Sequence, residues 1–377
     1  MKAIGIIVEY NPFHNGHLYH LSYVKEKYSD CIIIAIMSGN FVQRGEVSIL
    51  SKWEKTKIAL HYGIDIVLDL PFVFANEAAD FFATNSLDIL NYFEVSKIVF
   101  GSECGDKSMY YKYADIQLNN QDYYNHVKFF LDEGKNYPTA CSLALKVITG
   151  EEVNLPNDIL GLAYTKAIVA NNMKIDIDVI RRTNSYHSLE IEEISSATSI
   201  RNAIVSNIDY NIAVPSFTKN SIENSNLFLS EDFFKLIKYK IISSTIDELK
   251  NIHLVEEGLE FRMKKVVSKC GTYQELVHAI ATKRYTYSRV SRMLYNVLMN
   301  YTKSEKNLVS ESTYYRVLGF NNRGQDYLKL LKNKGKVFDV NIKAINNIVS
   351  DIEYRASNIL KMSDESYNEN RAILKEG

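Results

Sequence analysis

Apolar and polar positions fall into alternating blocks along the first half of the chain. Residues 3–8 are a short Ala, Gly, Ile and Val run, and residues 31–37 are almost unbroken Ile. Unbroken apolar runs of this length mark strands covered on both faces. Residues 64–68 and 97–100 repeat the pattern, the first stopped by Pro71 and the second closed by Gly101. Helical spacing fills the intervals at 17–27, 51–62 and 81–93. This β-α-β-α order predicts a parallel sheet with helices on both faces. Residues 109–153 then read as helical, 177–180 as a fifth strand and 198–205 as a further helix. Over 206–230 the pattern dissolves into Asn, Ser, Thr and Pro215, which predicts a linker. From Glu231 onward the periodicity is helical at 233–243, 258–268, 272–281, 290–300, 325–332 and 340–350. The expected organisation is an α/β domain over 1–205, a linker over 206–230 and an all-helical domain over 231–377.

Composition narrows the class. A chain of 377 residues, 46% hydrophobic and 24% charged, is globular rather than disordered and long enough for two domains. Its 44 basic and 45 acidic side chains give a net charge of −1, which excludes a uniformly basic nucleic-acid coat but not a local basic face. Cys31, Cys104, Cys141 and Cys270 form no C-x-x-C pair, against a zinc ribbon and in keeping with a reducing cytoplasm. The first apolar run breaks at Glu9, too early for a signal-peptide core, and no run has the length of a membrane span. A cytoplasmic protein is expected.

Ligands of such sheets sit at the carboxyl ends of the strands. Just past the first strand stands Asn11-Pro12-Phe13-His14-Asn15-Gly16-His17. A strand-to-helix turn offers free N–H groups and a positive dipole, the Gly admits a phosphate close to the backbone, and two imidazoles can donate to phosphate oxygens. A second cluster, Ser195-Ser196-Ala197-Thr198-Ser199-Ile200-Arg201, brings hydroxyls and a guanidinium to a predicted helix start. It suits the far end of a triphosphate, with Arg201 as the charge clamp, although such clusters also serve as plain N-caps. Met37-Ser38-Gly39-Asn40-Phe41-Val42-Gln43-Arg44-Gly45 follows the second strand and is a candidate wall for an acyl pocket or for the end of an RNA, the alternative being a plain βα loop.

One basic segment points to RNA. Lys283-Arg284-Tyr285-Thr286-Tyr287-Ser288-Arg289-Val290-Ser291-Arg292 holds four cations, two tyrosines and no acid. Cations neutralise phosphates and tyrosines stack on unpaired bases, the alternative being a solvated helix face. His61, His126, His253 and His278 read as structural or surface residues, whereas His187 lies between Arg182 and the Ser195 cluster. Asp106, Asp115 and Asp122 read as solvated helix charges, and no metal-ligand spacing is present.

The two phosphate motifs together resemble the HxGH nucleotidylyltransferase superfamily. Gly5 to His20, the 37–45 loop, Asp69-Leu70-Pro71, Phe100-Gly101-Ser102-Glu103, Pro156-Asn157-Asp158-Ile159-Leu160-Gly161 and Lys283-Arg284-Tyr285-Thr286 narrow the resemblance to the tRNA(Met) cytidine acetate ligase family, over nearly the whole chain. The resemblance implies a Rossmann-like nucleotidylyltransferase domain followed by a helical, tRNA-binding domain. It implies that ATP and acetate give acetyl-adenylate, and that the acetyl group passes to the wobble cytidine of elongator tRNA(Met) as N4-acetylcytidine. It places ATP contacts along Ile7-Val8-Glu9-Tyr10-Asn11-Pro12-Phe13-His14-Asn15-Gly16-His17-Leu18-Tyr19-His20 and at Gly101, Asn157 and Arg182. His14, His17, Ser196, Thr198 and Arg201 would carry the chemistry, with Mg²⁺ bridging phosphate oxygens. Lys283, Arg284, Tyr285, Arg289 and Arg292 would meet the tRNA. The family pattern leads one to expect Asn at 158, a Gln-Ser-Ala-Glu-like run at 76–80 and Glu at 69. This chain instead has Asp158, Asn76-Glu77-Ala78-Ala79-Asp80 and Asp69. The competing readings are a small-molecule nucleotidylyltransferase and a non-catalytic RNA-binding protein. The long helical half argues against the first and the intact His14, His17 and Arg201 against the second.

Overall fold

In the computed structural model, which describes residues 1–181 and 191–376, seven strands form one sheet. The strands in chain order are β1 (Ala3–Val8), β2 (Ile32–Ser38), β3 (Phe41–Val42), β4 (Glu46–Val47), β5 (Ile66–Leu70), β6 (Val95–Ser102), β7 (Asp176–Arg181), β8 (Val317–Asn321) and β9 (Leu374–Glu376). The main sheet runs β7-β6-β1-β2-β5-β8-β9, and β3 and β4 pair as a separate antiparallel ribbon. β1, β2, β5, β6 and β7 are parallel, as the alternating pattern predicts. β2 is buried along its whole length, which is why its sequence is continuous Ile rather than an alternation. Helices Asn15–Lys27, Lys52–His61 and Ala79–Tyr92 occupy the predicted intervals, and residues 109–153 resolve into Lys107–Asn119, Gln121–Asp132 and Tyr137–Thr149. Gly161 lets helix Pro156–Ala170 lie directly on β6, since a Cβ there would stand 2.4 Å from the Phe100 ring.

Two expectations about the second half are corrected. The all-helical reading fails at β8, which pairs antiparallel with β5, and at β9, which pairs parallel with β8. The C-terminal half therefore completes the sheet of the first half. Gly319 interrupts the apolar run of β8 and hides it from a propensity reading. Its missing Cβ is what admits the strand against helix Lys52–His61, where a Cβ would meet Thr56 at 2.8 Å and Leu60 at 2.9 Å. The 206–230 stretch is not an open linker either. It carries helix Ser216–Glu223, and Ile222 and Phe228 are buried. The Phe228 N–H donates to the Ile49 carbonyl at 3.0 Å. Two well-placed apolar side chains outweigh the polar composition around them.

A buried ionic cluster joins the two halves at the end of β5. The Lys52 ammonium lies 3.1 Å from Asp69, 2.5 Å from Glu353 and 3.1 Å from Glu369. Arg316 pairs with Asp69 at 3.3 Å and closely with Glu369. Oxygens of the three carboxylates come within 4.8 Å of one another, a spacing that suits a metal ion; here the Lys52 ammonium bridges them. Hydroxyls of Tyr314, Ser357 and Tyr367 donate to the same carboxylates. Among the described residues, no helix is long and apolar enough to cross a membrane.

Candidate active site

The chain runs from β1 to β2 and β5 on one side and then returns to β6 on the other side of β1, which opens a crevice at the carboxyl end of β1. A cleft of about 260 Å³ occupies that crevice. Its wall is built from the ends of β1, β6 and β7, from the start of helix Asn15–Lys27, from the β3–β4 ribbon and from the start of helix Ala197–Val205.

His14 and His17 meet there as a close pair, ring centroids 3.7 Å apart and planes tilted by 31°. His14 is the N-cap of its helix, and its Nδ1 accepts from the Gly16 N–H at 3.1 Å. His17 Nδ1 accepts from the His14 N–H at 3.3 Å. This is a capping box made of imidazoles. Because each Nδ1 accepts a backbone hydrogen bond, each neutral ring carries its proton on Nε2. Gly16 has a structural task besides phosphate access: a Cβ there would sit 2.9 Å from the His14 ring.

The Ser-rich segment reaches the same cleft. Asn15 Nδ2 donates to the carbonyls of Glu193 and Ile212, each at 2.8 Å, tying the histidine turn to that segment. Ser196 caps helix Ala197–Val205, accepting from the Ser199 N–H at 3.1 Å, so the N-cap reading and the cleft reading both hold for it. Thr198 and Arg201 line the cleft with it, while Ser199 is buried. Arg201 donates to the Asn11 carbonyl at 2.8 Å and to Glu46 at 2.7 Å, and so bridges the β1 turn and the β3–β4 ribbon.

Most of the other expected contact residues fall into place. Ile7, Val8, Glu9, Tyr10, Asn11, Gly16, Tyr19, His20, Gly101 and Asn157 line the cleft. Pro12, Phe13, Asn15 and Leu18 do not. Phe13 is fully buried and stacks on Tyr62 with centroids 4.9 Å apart, a core role that the continuous run concealed. Arg182 and His187 lie outside the described residues, but Arg181, at the end of β7, lines the cleft. Asn157 donates to Glu103, whose other oxygen accepts from the Asp158 N–H at 2.9 Å. The Asp158 carboxylate in turn receives Ser102 Oγ at 2.9 Å and the Glu103 N–H at 3.0 Å. This reciprocal clasp holds the end of β6 against the helix that carries Asn157.

Sequence reasoning missed several wall residues. Phe82, Phe100, Leu160, Tyr164 and Ile180 supply an apolar side, and only their three-dimensional convergence distinguishes them from core. The 37–45 segment does supply a wall, with Val42, Gln43 and Arg44 lining the cleft, but it folds into the β3–β4 ribbon, whose Glu46 sequence reasoning did not single out. Glu9 Oε1 accepts from the Gln43 N–H at 2.7 Å, and burial raises the carboxyl above its ordinary value against the pull of that bond, Arg44 and Lys55. Beneath it, Lys55 is buried and donates to the carbonyls of Glu9 at 2.9 Å and Ser38 at 2.8 Å. Burial brings its amine down to about 7.

The basic segment looks different in three dimensions. Arg284 pairs with Glu257 at 2.7 Å and Arg289 with Glu256 at 2.6 Å. The segment has no acid of its own, but the loop before helix Leu259–Val266 supplies two. Tyr285 is buried, donates to Glu257 and lies under the Arg289 guanidinium, whereas Tyr287 is exposed. Arg292 is turned inward and donates to the Gln43 carbonyl at 3.1 Å, so it braces the cleft ribbon. Lys283 stays exposed.

Known proteins are similar to this chain over nearly its whole length. Residues 1–373 match the family described as HIGH nucleotidyl transferase. A tRNA(Met) cytidine acetate ligase of Caldicellulosiruptor saccharolyticus is 39% identical over 98% of this chain and 96% of its own length. One from Fusobacterium nucleatum is 38% identical over 97% of this chain and 95% of its own length. Crystal structures of Thermotoga maritima TmcAL, at 28% identity, cover 100% of this chain and 99% of theirs. The TM-score is 0.90 for the apo form and 0.88 for the form bound with alpha-thio ATP.

Proposed function

Since this chain belongs to the tRNA(Met) cytidine acetate ligase family of HIGH nucleotidyl transferases, we propose that it activates acetate with ATP and acetylates the wobble cytidine of elongator tRNA(Met). The observation that carries the reading is the pairing of His14 and His17. Both rings are locked with Nδ1 as acceptor and Nε2 as donor, in one cleft with Ser196, Thr198 and Arg201.

Adenylation brings an acetate oxygen in line with the α-phosphorus while pyrophosphate departs. This requires positioning and charge stabilisation rather than covalent work by the protein. The two Nε2–H groups serve the α and β oxygens, where negative charge accumulates. Ser196, Thr198 and Arg201 serve the departing pyrophosphate. Gly101 and Asn157 meet the nucleoside. Among the described residues the cleft's carboxylates are Glu9 and Glu46, held by the Gln43 N–H and by Arg201, and they form no cage. Mg²⁺ fits as an ion carried on the triphosphate, where it neutralises phosphate charge. We assign tRNA docking to residues 231–377, with Lys283, Arg284 and Arg289 as the phosphate contacts.

The test is exchange of labelled pyrophosphate into ATP. Exchange that requires acetate is expected. Exchange that proceeds without acetate but needs a mononucleotide or a phosphorylated pantetheine would contradict the reading and favour a small-molecule nucleotidylyltransferase.

A further inference from the structure

We propose that Glu9 is the general base of the acyl-transfer half-reaction, taking the proton that the attacking cytidine amine must lose; this rests on the function proposed above. Among the described residues, two carboxylates line the cleft, Glu9 and Glu46. Glu46 is paired with Arg201 at 2.7 Å. Glu9 is held by one oxygen only: Oε1 accepts from the Gln43 N–H at 2.7 Å, with Ser38 Oγ at 3.5 Å. Among the described residues no group donates to Oε2, so that atom is the one offered to a bound molecule. The nearest amine, Lys55, does not form an ion pair with it, since its hydrogen bonds go to the main-chain carbonyls of Glu9 and Ser38.

A carboxylate here does not stabilise the charge that builds in the first half-reaction. Acetate and triphosphate are both anions and are repelled by it. Its use belongs to a step whose substrate arrives with a proton to give up. In that step the exocyclic nitrogen of cytidine attacks the acetyl carbonyl carbon of the mixed anhydride. The new C–N bond forms, the bond from the acetyl carbon to the phosphate oxygen breaks, and AMP leaves with that electron pair. The nitrogen proton passes to Glu9 Oε2, which becomes the neutral acid and then releases the proton to water. An exocyclic amine is a weak nucleophile because its lone pair is delocalised into the ring, so the nitrogen becomes strongly acidic only as the C–N bond forms. A carboxylate fixed by a backbone donor and raised by burial suits that moment. The charged and titratable groups around it are Arg44, Lys55, Glu46 and Tyr164. Arg44 and Lys55 oppose the rise that burial and Glu46 cause.

The experiment compares two acceptors for the same acetyl-adenylate, with ATP, Mg²⁺ and labelled acetate. One is elongator tRNA(Met). The other is hydroxylamine, a strong nucleophile that needs no base. For Glu9→Gln, acetylation of tRNA is expected to fall on the order of 100-fold or more relative to its own hydroxamate rate. A rise of tRNA acetylation with pH is expected in the unaltered chain, and it is expected to disappear in Glu9→Gln and to survive at a lower rate in Glu9→Asp. Equal losses toward both acceptors, or a Glu9→Gln variant that keeps the pH rise, would overturn the proposal. An unaltered chain that forms hydroxamate yet never labels tRNA would strike down the acceptor reading, and this proposal with it.

Discussion

Each histidine of the pair commits its Nδ1 to a backbone N–H, so the chemistry its ring presents is set before any ligand arrives. A turn position of this kind contributes little to the core, and the capping bond of His17 is worth about 1 kcal/mol. His17→Ala should therefore fold and melt within a few degrees of the parent chain. Its acetate-dependent pyrophosphate exchange should fall on the order of 10²–10³-fold, the usual consequence of losing one donor to a developing charge. Full exchange in that variant would remove the phosphate role assigned to it. The departures from the family pattern are intelligible at the same scale. Asp69 is enclosed by Lys52, Arg316 and Tyr314. Asn76 donates to Asn296 and the Arg292 carbonyl. Glu77 meets His253 at 2.9 Å and Lys306 at 2.8 Å, and these contacts, led by the hydrogen bond with His253, outweigh its burial and lower its carboxyl. Asp158 clasps the end of β6. None of these four side chains lines the cleft.

At the scale of elements, the strand–turn–helix units were legible because each carries its own signal. A continuous apolar run announces β2, and the HxGH turn announces the start of helix Asn15–Lys27. The residues quoted for phosphate binding converge because β1 and the Ala197–Val205 helix open on one crevice. What stayed hidden depends on partners distant in sequence. β8 becomes a strand only because β5 offers an edge, and the apolar wall of Phe82, Phe100 and Tyr164 exists only after the helices pack. The basic segment shows the same limit, since Glu256 and Glu257 compensate charges that looked unopposed. Exposed pairs of this kind are weak and screened by salt, so RNA phosphates can compete for the guanidinium groups. Arg284→Ala with Arg289→Ala should weaken tRNA binding and lower the slope of log affinity against log salt by up to about two. Titration of tRNA at several salt concentrations checks this, and an unchanged slope would mark the segment as a solvated face.

For the molecule as a whole, the buried ionic cluster is a second link between the two halves beside the shared sheet. It links Asp69 of β5 and Lys52 of the first half to Arg316, Glu353 and Glu369 of the second. Burial alone would raise the Glu369 carboxyl, but Lys52 and Arg316 outweigh it and hold the group down to about 2. In the unfolded chain it titrates near 4.5, so its contribution is complete above that pH and is lost as pH falls toward 2. Glu369→Gln leaves buried cations undercompensated and should cost about 3–5 kcal/mol at neutral pH. Denaturant titration should show that loss, together with a shallower decline in stability below pH 4.5 than the parent chain has. An unchanged midpoint would mean that the tail is not fastened through this cluster. The central claim concerns what the cleft makes, and it is tested most directly by supplying ATP, Mg²⁺ and isotope-labelled acetate, with elongator tRNA(Met) as acceptor, and analysing the tRNA nucleosides by mass spectrometry. The account predicts label in N4-acetylcytidine, dependent on both ATP and acetate; acetate-dependent pyrophosphate release with no label in any tRNA nucleoside would contradict it.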